Sequence, residues 1–253
     1  MNTQLFEKFS SALTAPNSPL LRDPRLLMEE SGGVKIYYSP FEYINTEARI
    51  VLVGITPGPT QMVNANNEAR RSLLAGKSTL EAMKNAKDTA AFSGEPLRSN
   101  LINQLNHWGV HQWLRISDSA ILFAEKRHLI QTTSLLRYPV FVDDKDYRGT
   151  PDMIKHPLLK NYLLKHFVSE VEQIKEAIFF GLGPQVQKVL DHLVEQKILP
   201  ADRVIGGMLH PSGNCTYRIN YLIGDRAMPV PHATNPVPYD KGRNTFQKAF
   251  LGN

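Results

Sequence analysis

The strongest constraint on the fold is an apolar run at residues 49–54, Arg-Ile-Val-Leu-Val-Gly, which ends in a turn rich in glycine and proline. An unbroken run of β-branched and leucine side chains indicates a strand that is buried on both faces. Similar runs lie at residues 128–136, 177–182 and 204–209. Because strands of this kind occur mainly in parallel sheets, the sequence predicts one mostly parallel central sheet.

Segments with helical spacing separate these runs. One has Pro96 in its first turn, carries apolar residues at positions 97, 101, 105 and 108, and can end at Gly109. A second covers residues 158–176, and a third follows Pro184. Helices that alternate with strands pack on both faces of a parallel sheet, so we expect an α/β protein with three α/β/α layers.

The length of 253 residues and the 42% of hydrophobic residues suit one domain with a substantial core. We expect a single domain over residues 1–253, with a helical or irregular segment at 1–40 and an extended tail at 225–253. No apolar run is long enough to cross a membrane, and the first residues lack the layout of a signal peptide. A cytoplasmic monomer that does not bind a membrane is therefore expected.

The cysteine count and the net charge limit the classes of protein to which this chain can belong. Cys215 is the single cysteine, which excludes an intramolecular disulfide and a four-cysteine metal site, and no metal site is predicted. The net charge of +5 fits a polyanionic partner such as DNA. Basic residues in one polar stretch either follow a phosphate backbone or form a solvated helical surface; they are Arg70, Arg71, Lys77, Lys84, Lys87 and Arg98.

Two turns carry the chemistry, because ligands of parallel sheets bind at the carboxyl ends of the strands. The turn after the first strand is stiffened by two prolines and two glycines; it reads Gly54-Ile55-Thr56-Pro57-Gly58-Pro59-Thr60-Gln61. The run at residues 204–209 is followed by His210-Pro211-Ser212-Gly213-Asn214. An imidazole that projects from a strand end can stabilise an anion forming on a leaving group.

Together, the Gly-x-x-Pro-Gly turn and the His-Pro-Ser turn resemble the paired active-site motifs of the uracil-DNA glycosylase superfamily. Residues 128–139, His-Leu-Ile-Gln-Thr-Thr-Ser-Leu-Leu-Arg-Tyr-Pro, resemble the strand that lines the base pocket in that family. The resemblance covers roughly residues 48–223, and the chain is identified as a divergent member.

The resemblance implies a monofunctional DNA glycosylase that extrudes one nucleotide, hydrolyses its N-glycosidic bond without a cofactor and leaves an abasic site. It implies that His210 hydrogen-bonds the leaving base, that the first turn holds water, and that Phe92 stacks on the base. The implied catalytic residues are His210, Thr56 and Gln61. The implied base pocket consists of Gly54, Ile55, Pro57, Gly58, Phe92, Ser134 and Arg137. The implied DNA contacts are Ser212 on a phosphate, Asn214, and Tyr217 or Arg218 in the gap left by the flipped base.

Two departures from the family pattern bear on the reaction. Thr56 stands where many members carry an aspartate or asparagine that activates water, and Ile55 stands where others carry a glutamate. Threonine orients water but is a poor base near neutral pH. The activating group is then either dispensable or supplied by another polar residue, for which the candidates are Gln61, Asn64, Asp88 and Glu95.

The second departure concerns the base. Ser134 aligns with the uracil-reading asparagine of the family, and a shift of one residue would put Thr133 there instead. Serine cannot make the bidentate match of an amide and leaves more volume, while Arg137 and Tyr138 add polar groups nearby.

We therefore expect a modified pyrimidine as the target, such as hydroxymethylated or glucosylated cytosine in phage DNA, removed as antiviral defence. The alternatives are conventional repair of uracil or deaminated bases and a catalytically inactive DNA-binding module. An unrelated α/β hydrolase is disfavoured because the chain has no Gly-x-Ser-x-Gly motif.

Overall fold

The computed structural model describes residues 3–16, 18–224, 226 and 229–252, and it is a mixed α/β protein with about 50% helix. Its strands are β1 (Leu27–Ser31), β2 (Val34–Tyr37), β3 (Ile50–Gly54), β4 (Ile130–Ser134), β5 (Val140–Val142), β6 (Lys145–Asp146), β7 (Ile178–Gly181) and β8 (Val204–Ile205). Its α-helices are α1 (Gln4–Thr14), α2 (Pro59–Leu74), α3 (Thr79–Ala90), α4 (Leu97–Trp108), α5 (Val110–Leu114), α6 (Pro157–Tyr162), α7 (Ser169–Val171), α8 (Pro184–Glu195), α9 (Thr216–Ile223) and α10 (Pro236–Phe250).

The chain forms two compact units, each assembled from three stretches of sequence. Unit 1 comprises Met1–Asn45, Ile55–Ser93 and Thr132–Gln173. Unit 2 comprises Thr46–Gly54, Gly94–Gln131 and Ile174–Asn253. The single domain expected over residues 1–253 stays a prediction.

Strands β3, β7 and β8 lie in unit 2 and belong to a parallel sheet with the strand order β4-β3-β7-β8. Strand β3 pairs in parallel with β7, with Ile50 opposite Ile178, and β7 pairs in parallel with β8. Every residue of β3 is buried, as the unbroken apolar run predicts. The mixed α/β class and the parallel sheet are thus confirmed.

The last strand is shorter than predicted. We expected a strand over residues 204–209, but β8 ends at Ile205. Gly207 has a φ of +111°, and a Cβ placed there would lie 2.2 Å from the carbonyl oxygen of Pro238. The backbone of the C-terminal segment therefore approaches so closely that the strand cannot continue past the glycine pair Gly206-Gly207.

Two helices of unit 2 agree with their sequence signals. Helix α4 starts after Pro96, and Gly109 caps its end with a left-handed φ of 84°. Helix α8 has Pro184 at its first turn and buries the predicted face, formed by Val186, Val189, Leu190 and Leu193. A glycine after the last turn and a proline in the first are reliable boundary signals because each is suited to the local backbone.

The tail at 225–253 is not extended throughout, so that prediction was wrong. Helix α10 occupies residues 236–250, with Asn235 accepting a hydrogen bond from the N–H of Val237 as its N-cap. Its buried face includes Tyr239 and Phe246. The helix forms because this apolar face packs within unit 2, where Phe246 lies 5.6 Å from the Phe180 ring of β7.

Unit 1 contains an antiparallel sheet that was not predicted, in the order β1-β2-β5-β6. Strands β1 and β2 form a hairpin joined by Gly32 and Gly33, whose φ values of 56° and 79° suit a tight two-residue turn. The expectation of a helical or irregular segment at 1–40 is correct for α1 but wrong for this hairpin. The short strands and the charged face of β1 hide the alternating pattern.

The long helix expected at residues 158–176 is interrupted. Helix α6 is followed by a π-helix at Leu163–Val168 and the short α7, which ends at Val171. The predicted face is nevertheless buried, including Leu159, Phe167 and Ile174. The wider π turn coincides with a side-chain hydrogen bond from Arg137 to the carbonyl of His166, which competes for that carbonyl.

Helices α2 and α3 pack together in unit 1 through small side chains. Ala65 and Ala69 of α2 and Ala82 and Ala86 of α3 are all fully buried. Helix α2 starts at Pro59, directly after the first candidate turn, so this pair holds the base of that turn. Among the described residues, no helix has both the length and the apolar character to cross a membrane.

Candidate functional site

The turn that follows β3 is bound to the segment after β4, within unit 1. The carbonyl of Ile55 accepts a hydrogen bond from the N–H of Leu136 at 2.9 Å. Thr56 Oγ1 donates to the carbonyl of Tyr138 at 2.9 Å and accepts from the N–H of Val140 at 3.2 Å. Because its proton and one lone pair are used on the main chain, the Thr56 hydroxyl keeps one lone pair for a water.

Gln61 is held by a capping box at the start of α2. Its Oε1 accepts from the N–H of Gly58 at 2.9 Å, and its Nε2 donates to the carbonyl of Ser93 at 3.4 Å. A Cβ on Gly58 would lie 2.9 Å from the same Oε1. Pro57 is buried, so proline, glycine and amide together give the turn one conformation.

The other proposed water-activating groups are also engaged. Asn64 Nδ2 donates to Ser93 Oγ at 3.0 Å, on the same loop that Gln61 contacts. Asp88 forms an ion pair with Lys84 at 2.7 Å. In unit 2, Glu95 accepts from the hydroxyl of Ser99 at 2.5 Å. Of these candidates, Gln61 and Asn64 are the two that contact the Ser93 loop next to the turn.

Phe92 has an unusual backbone conformation. It lies in unit 1, directly before Ser93, and is neither fully buried nor fully exposed. Its φ of 50° is left-handed, which is rare for an aromatic residue and costs on the order of 1 kcal/mol or more. The surrounding loop therefore imposes the backbone conformation at Phe92.

Ser134 is the accessible residue at the end of β4. The four preceding residues of the strand are buried, whereas Ser134 is partly exposed. The hydroxyl of Thr133 instead donates to the buried carboxylate of Glu170 at 3.0 Å. A ligand at this strand end would thus meet Ser134 and not Thr133.

Arg137 lies inside a buried polar cluster of unit 1 that also contains Glu42, Lys87 and Glu170. Its Nη2 donates to Glu170 Oε2 at 2.8 Å and to the carbonyl of His166 at 2.9 Å. Lys87 Nζ lies 3.8 Å from Glu170 Oε1 and donates to the carbonyl of Tyr43. With only 9% of its surface exposed, Arg137 holds the segment after β4 rather than presenting an open charge.

Burial shifts the titration of the cluster. It raises the pKa of Glu42 to about 7, against the opposing pull of hydrogen bonds and the charge of Arg137. Burial lowers the pKa of Lys87 to about 8, although the negative charge of Glu170 stabilises the ammonium and acts to raise that pKa. Burial also lowers the pKa of His166 to about 4, with Arg137 adding to the effect. In the sequence, Lys87 stands in a polar stretch that is typical of a surface, but its burial excludes a role as a phosphate-following lysine.

Other basic side chains of the same stretch are paired on the surface of unit 1. Arg71 forms an ion pair with Glu68 at 2.8 Å, and Lys84 pairs with Asp88 at 2.7 Å. Surface pairs of this kind stabilise by about 0–1 kcal/mol and are easily exchanged for another anion. Arg71 and Lys84 therefore fit the interpretation of a solvated helical surface, and their charges stay available to a polyanion.

The His210 turn is clamped by two buried amides of α4, in unit 2. Gln104 accepts from the N–H of Leu209 at 2.9 Å and donates to its carbonyl at 3.2 Å. Asn100 donates to the carbonyl of Pro211 at 3.0 Å and to Thr216 Oγ1 at 2.8 Å. The main chain on each side of His210 is thus tied to one helix face.

These two amides were missed from the sequence, although a signal exists. Asn100 and Gln104 are four residues apart and lie beside the apolar stripe of α4, so both face the core. A pair of buried amides on an apolar face must bind main-chain groups to be tolerated. The bond partners, which are more than a hundred residues away, cannot be read from the spacing.

The geometry of His210 determines which ring nitrogen carries the proton. Nδ1 lies 3.2 Å from the N–H of Ser212, which can only donate. Nδ1 is therefore the acceptor, and in the neutral ring the proton is on Nε2. Burial lowers the pKa of His210 below its usual value, which favours this neutral form near pH 7. A neutral imidazole with Nε2–H is a hydrogen-bond donor, not a base, at that nitrogen.

The residues after His210 differ in exposure. Ser212 is partly exposed and Asn214 is exposed in a short 3₁₀ turn, Gly213–Cys215. Tyr217 has 66% of its surface exposed at the start of α9. Arg218 donates instead to the buried thiol sulfur of Cys215 at 3.0 Å. Tyr217 is therefore the freer of the two residues predicted to enter a base stack.

The structure thus holds the predicted residues in two sets. Unit 1 contains the residues of the first turn from Ile55 to Gln61, together with Phe92, Ser134 and Arg137. Unit 2 contains Gly54, which ends β3, and the His210 turn with its neighbours. Within the described part of the chain, no group of three histidine, cysteine or carboxylate residues is arranged to hold a metal ion.

Fold and site together define a mixed α/β protein in which a fixed, neutral histidine lies in a turn after the last strand of a parallel sheet. The chain belongs to the family of "Uncharacterized protein YoxB" of Bacillus subtilis (strain 168). The two are 41% identical over 213 residues, which cover 83% of this chain and 81% of that protein. No family model and no solved structure matches the chain.

Proposed function

We propose that this protein is a DNA glycosylase with the three-layer fold of the uracil-DNA glycosylase superfamily. The observation that carries the proposal is the state of His210, a neutral imidazole with its proton on Nε2 and its backbone clamped on both sides. As the glycosidic bond breaks, negative charge develops on the departing base, and a preorganised hydrogen-bond donor stabilises that charge in the transition state.

In this mechanism His210 donates a hydrogen bond to the leaving base and does not remove a proton from water. Its lowered pKa supports this role, because the donor is neutral at the working pH. Water is oriented by the remaining lone pair of Thr56 and by the Gln61 amide. Leaving-group stabilisation then supplies most of the rate enhancement, in agreement with a turn that has no carboxylate at residues 54–61.

The remaining residues serve binding of an extruded nucleotide. Phe92 stacks on the base, and its imposed backbone conformation supports a fixed platform. Ser134 reads the base edge from the end of β4. Ser212 and Asn214 contact phosphate, while the exposed ring of Tyr217 fills the gap in the stack.

The proposed target is a modified pyrimidine, because Ser134 offers one short hydroxyl in place of a bidentate amide. Hydroxymethylated or glucosylated cytosine, as found in phage DNA, fits the added volume. Removal of such bases would damage invading DNA, which gives the reaction a role in antiviral defence.

A base-excision assay tests the proposal. Purified protein is incubated with duplexes that contain uracil, hypoxanthine, hydroxymethylcytosine or glucosylated hydroxymethylcytosine, and alkali then reveals abasic sites. We expect excision of a modified cytosine that falls by about 10²–10³-fold in His210→Ala, as for loss of a transition-state donor. His192→Ala, a histidine on α8 outside the site, is the matched control and should excise normally. Excision of uracil alone would replace the proposed substrate with conventional repair.

A non-catalytic DNA-binding module is the second candidate, and the use of the Thr56 hydroxyl on the main chain favours it. Such a module would bind DNA with strong salt dependence but leave no abasic site on any duplex. Salt-dependent binding without excision of the four bases would therefore favour this candidate over a glycosylase.

A further inference from the structure

A separate cavity lies in unit 2, beside the amino end of β3. It has a volume of about 470 Å³ and is lined by Arg49, Gln112, Trp113, Leu114, Arg115, Phe250 and Leu251. Arg49 directly precedes β3, whose carboxyl end is at Gly54. At about 3.3 Å per residue, roughly 16 Å of strand separates Arg49 from Gly54.

The rim of this cavity is positively charged. Arg49 and Arg115 are both exposed, and the lining residues include no carboxylate within the described part of the chain. Two guanidinium groups with no carboxylate among the lining residues favour an anionic ligand, since each can bind phosphate through two parallel hydrogen bonds. Gln112 adds an exposed amide that can both donate and accept.

The floor of the cavity is aromatic. The rings of Trp113 and Phe250 lie 5.0 Å apart at 51°, and Phe246 packs edge-on against Trp113 at 5.8 Å. The Arg49 guanidinium lies 5.0 Å above the Trp113 ring. These contacts fix the indole in place beside a cation, an arrangement that suits a planar ring joined to an anionic group.

Arg115 has a left-handed backbone conformation, which arginine seldom adopts. It caps the short helix α5 with a left-handed φ of 56° and ψ of 47°, where glycine or asparagine is usual. An arginine there costs on the order of 1 kcal/mol relative to glycine.

We infer that this cavity binds a nucleotide, with the phosphate on Arg49 and Arg115, the base against Trp113 and Phe250, and Gln112 on the base edge. The volume fits, because sites for small ligands occupy roughly 300–1,000 Å³. The same chemistry comes from a free nucleotide or from the terminal nucleotide of single-stranded DNA. The inference does not depend on glycosylase activity.

Binding of dTMP, inorganic phosphate and a 5′-phosphorylated oligothymidylate tests the site by calorimetry and tryptophan fluorescence. Trp108, the other tryptophan, is fully buried, so a fluorescence change on binding reports Trp113. We expect Arg49→Gln and Arg115→Gln each to weaken binding of dTMP by about tenfold, whereas Arg148→Gln, an exposed arginine of unit 1, should have no effect. Trp113→Phe should abolish the fluorescence change and weaken the calorimetric binding of dTMP, because the smaller ring offers less surface to the base.

The outcomes separate the sources of the ligand. Competition between dTMP and the oligonucleotide supports the site for both, and binding of the oligonucleotide alone assigns it to a DNA end. Phosphate that binds as tightly as dTMP would overturn the role of the rings. Binding that is unchanged in both arginine variants, or no binding up to about 1 mM, would overturn the inference. Thermal melts of each variant confirm that the protein measured is folded.

Discussion

Gly183 connects backbone strain to the position of His210, and its substitution by alanine gives a quantitative test. Gly183 has φ 94° and ψ 161°, a combination that is almost restricted to glycine. A Cβ there would lie 3.2 Å from the Cβ of His210 and 3.4 Å from its backbone nitrogen. The N–H of Gly183 also donates to the carbonyl of Met208 at 2.9 Å, so the two segments cannot separate freely.

The magnitude for Gly183→Ala follows from two opposing terms. The backbone strain costs about 1–3 kcal/mol. Alanine also lowers the conformational entropy of the unfolded chain, which stabilises the folded state by about 0.4–1 kcal/mol. The midpoints of these two ranges give a fall of about 1 kcal/mol in the free energy of unfolding, which lowers the Tm by about 2–4 °C in a chain of this length. Relief of this contact requires His210 to move by a few tenths of an ångström. Because a misplacement of about 1 Å costs about 10²-fold, base excision should fall by a few-fold.

Gly76→Ala is the matched control for this experiment. Gly76 also has a positive φ of 72°, but a Cβ there would meet nothing within 4 Å. It should lose stability through the backbone alone and keep full excision per folded molecule. The measurements are calorimetric melts and single-turnover excision. An unchanged Tm in Gly183→Ala would refute the strain argument, and unchanged excision in a destabilised variant would refute the link to His210.

Four further perturbations have defined outcomes. Gln104→Leu removes two hydrogen bonds to the partly buried main chain of Leu209 and should lower the free energy of urea unfolding by about 1–3 kcal/mol; a change below about 0.5 kcal/mol would contradict the clamp. Gly242→Ala in α10 puts a Cβ 1.9 Å from the carbonyl of Gly206, so it should lower the Tm despite the better helix propensity of alanine; a higher Tm would show that α10 packs loosely. Burial and the neighbouring Arg243 lower the pKa of His107, so its contribution to stability is complete above about pH 6.5 and is lost as the pH falls. As the pH falls below about 6.5, the urea midpoint of His107→Gln should decline less than that of the wild type. Parallel curves of urea midpoint against pH would exclude this histidine. Ser134→Asn should shift excision from modified cytosine toward uracil, and an unchanged preference would remove residue 134 from the base pocket.

The sequence predicts those elements whose signal is local. Strand β3 is identified by its unbroken apolar run, and α4 by Pro96 and Gly109, because burial on both faces and special backbone angles leave direct marks on residue choice. Helix α10 was missed because its first residues include two prolines and its stability comes from packing of Tyr239 and Phe246, which propensity does not register.

The site shows the same division. The two turns were found from glycine, proline and histidine, which have few other reasons to occur together after strands. The residues that hold them in place were not found, since Gln104 resembles any polar helix residue until Leu209 is beside it. Lys87 stands in a polar run that reads as a surface, and only the packing of unit 1 places its ammonium beside Glu170.

The buried cluster around Glu170 has a consequence for how this family diverges. Removal of one partner from a buried ion pair costs about 3–5 kcal/mol, whereas replacement of the whole set by packed apolar residues is often neutral. Intermediate sequences with only one of Lys87, Arg137 and Glu170 exchanged would then be eliminated, because that cost is a large part of a typical folding free energy. Among relatives, these three positions should therefore either persist as a set or be substituted jointly.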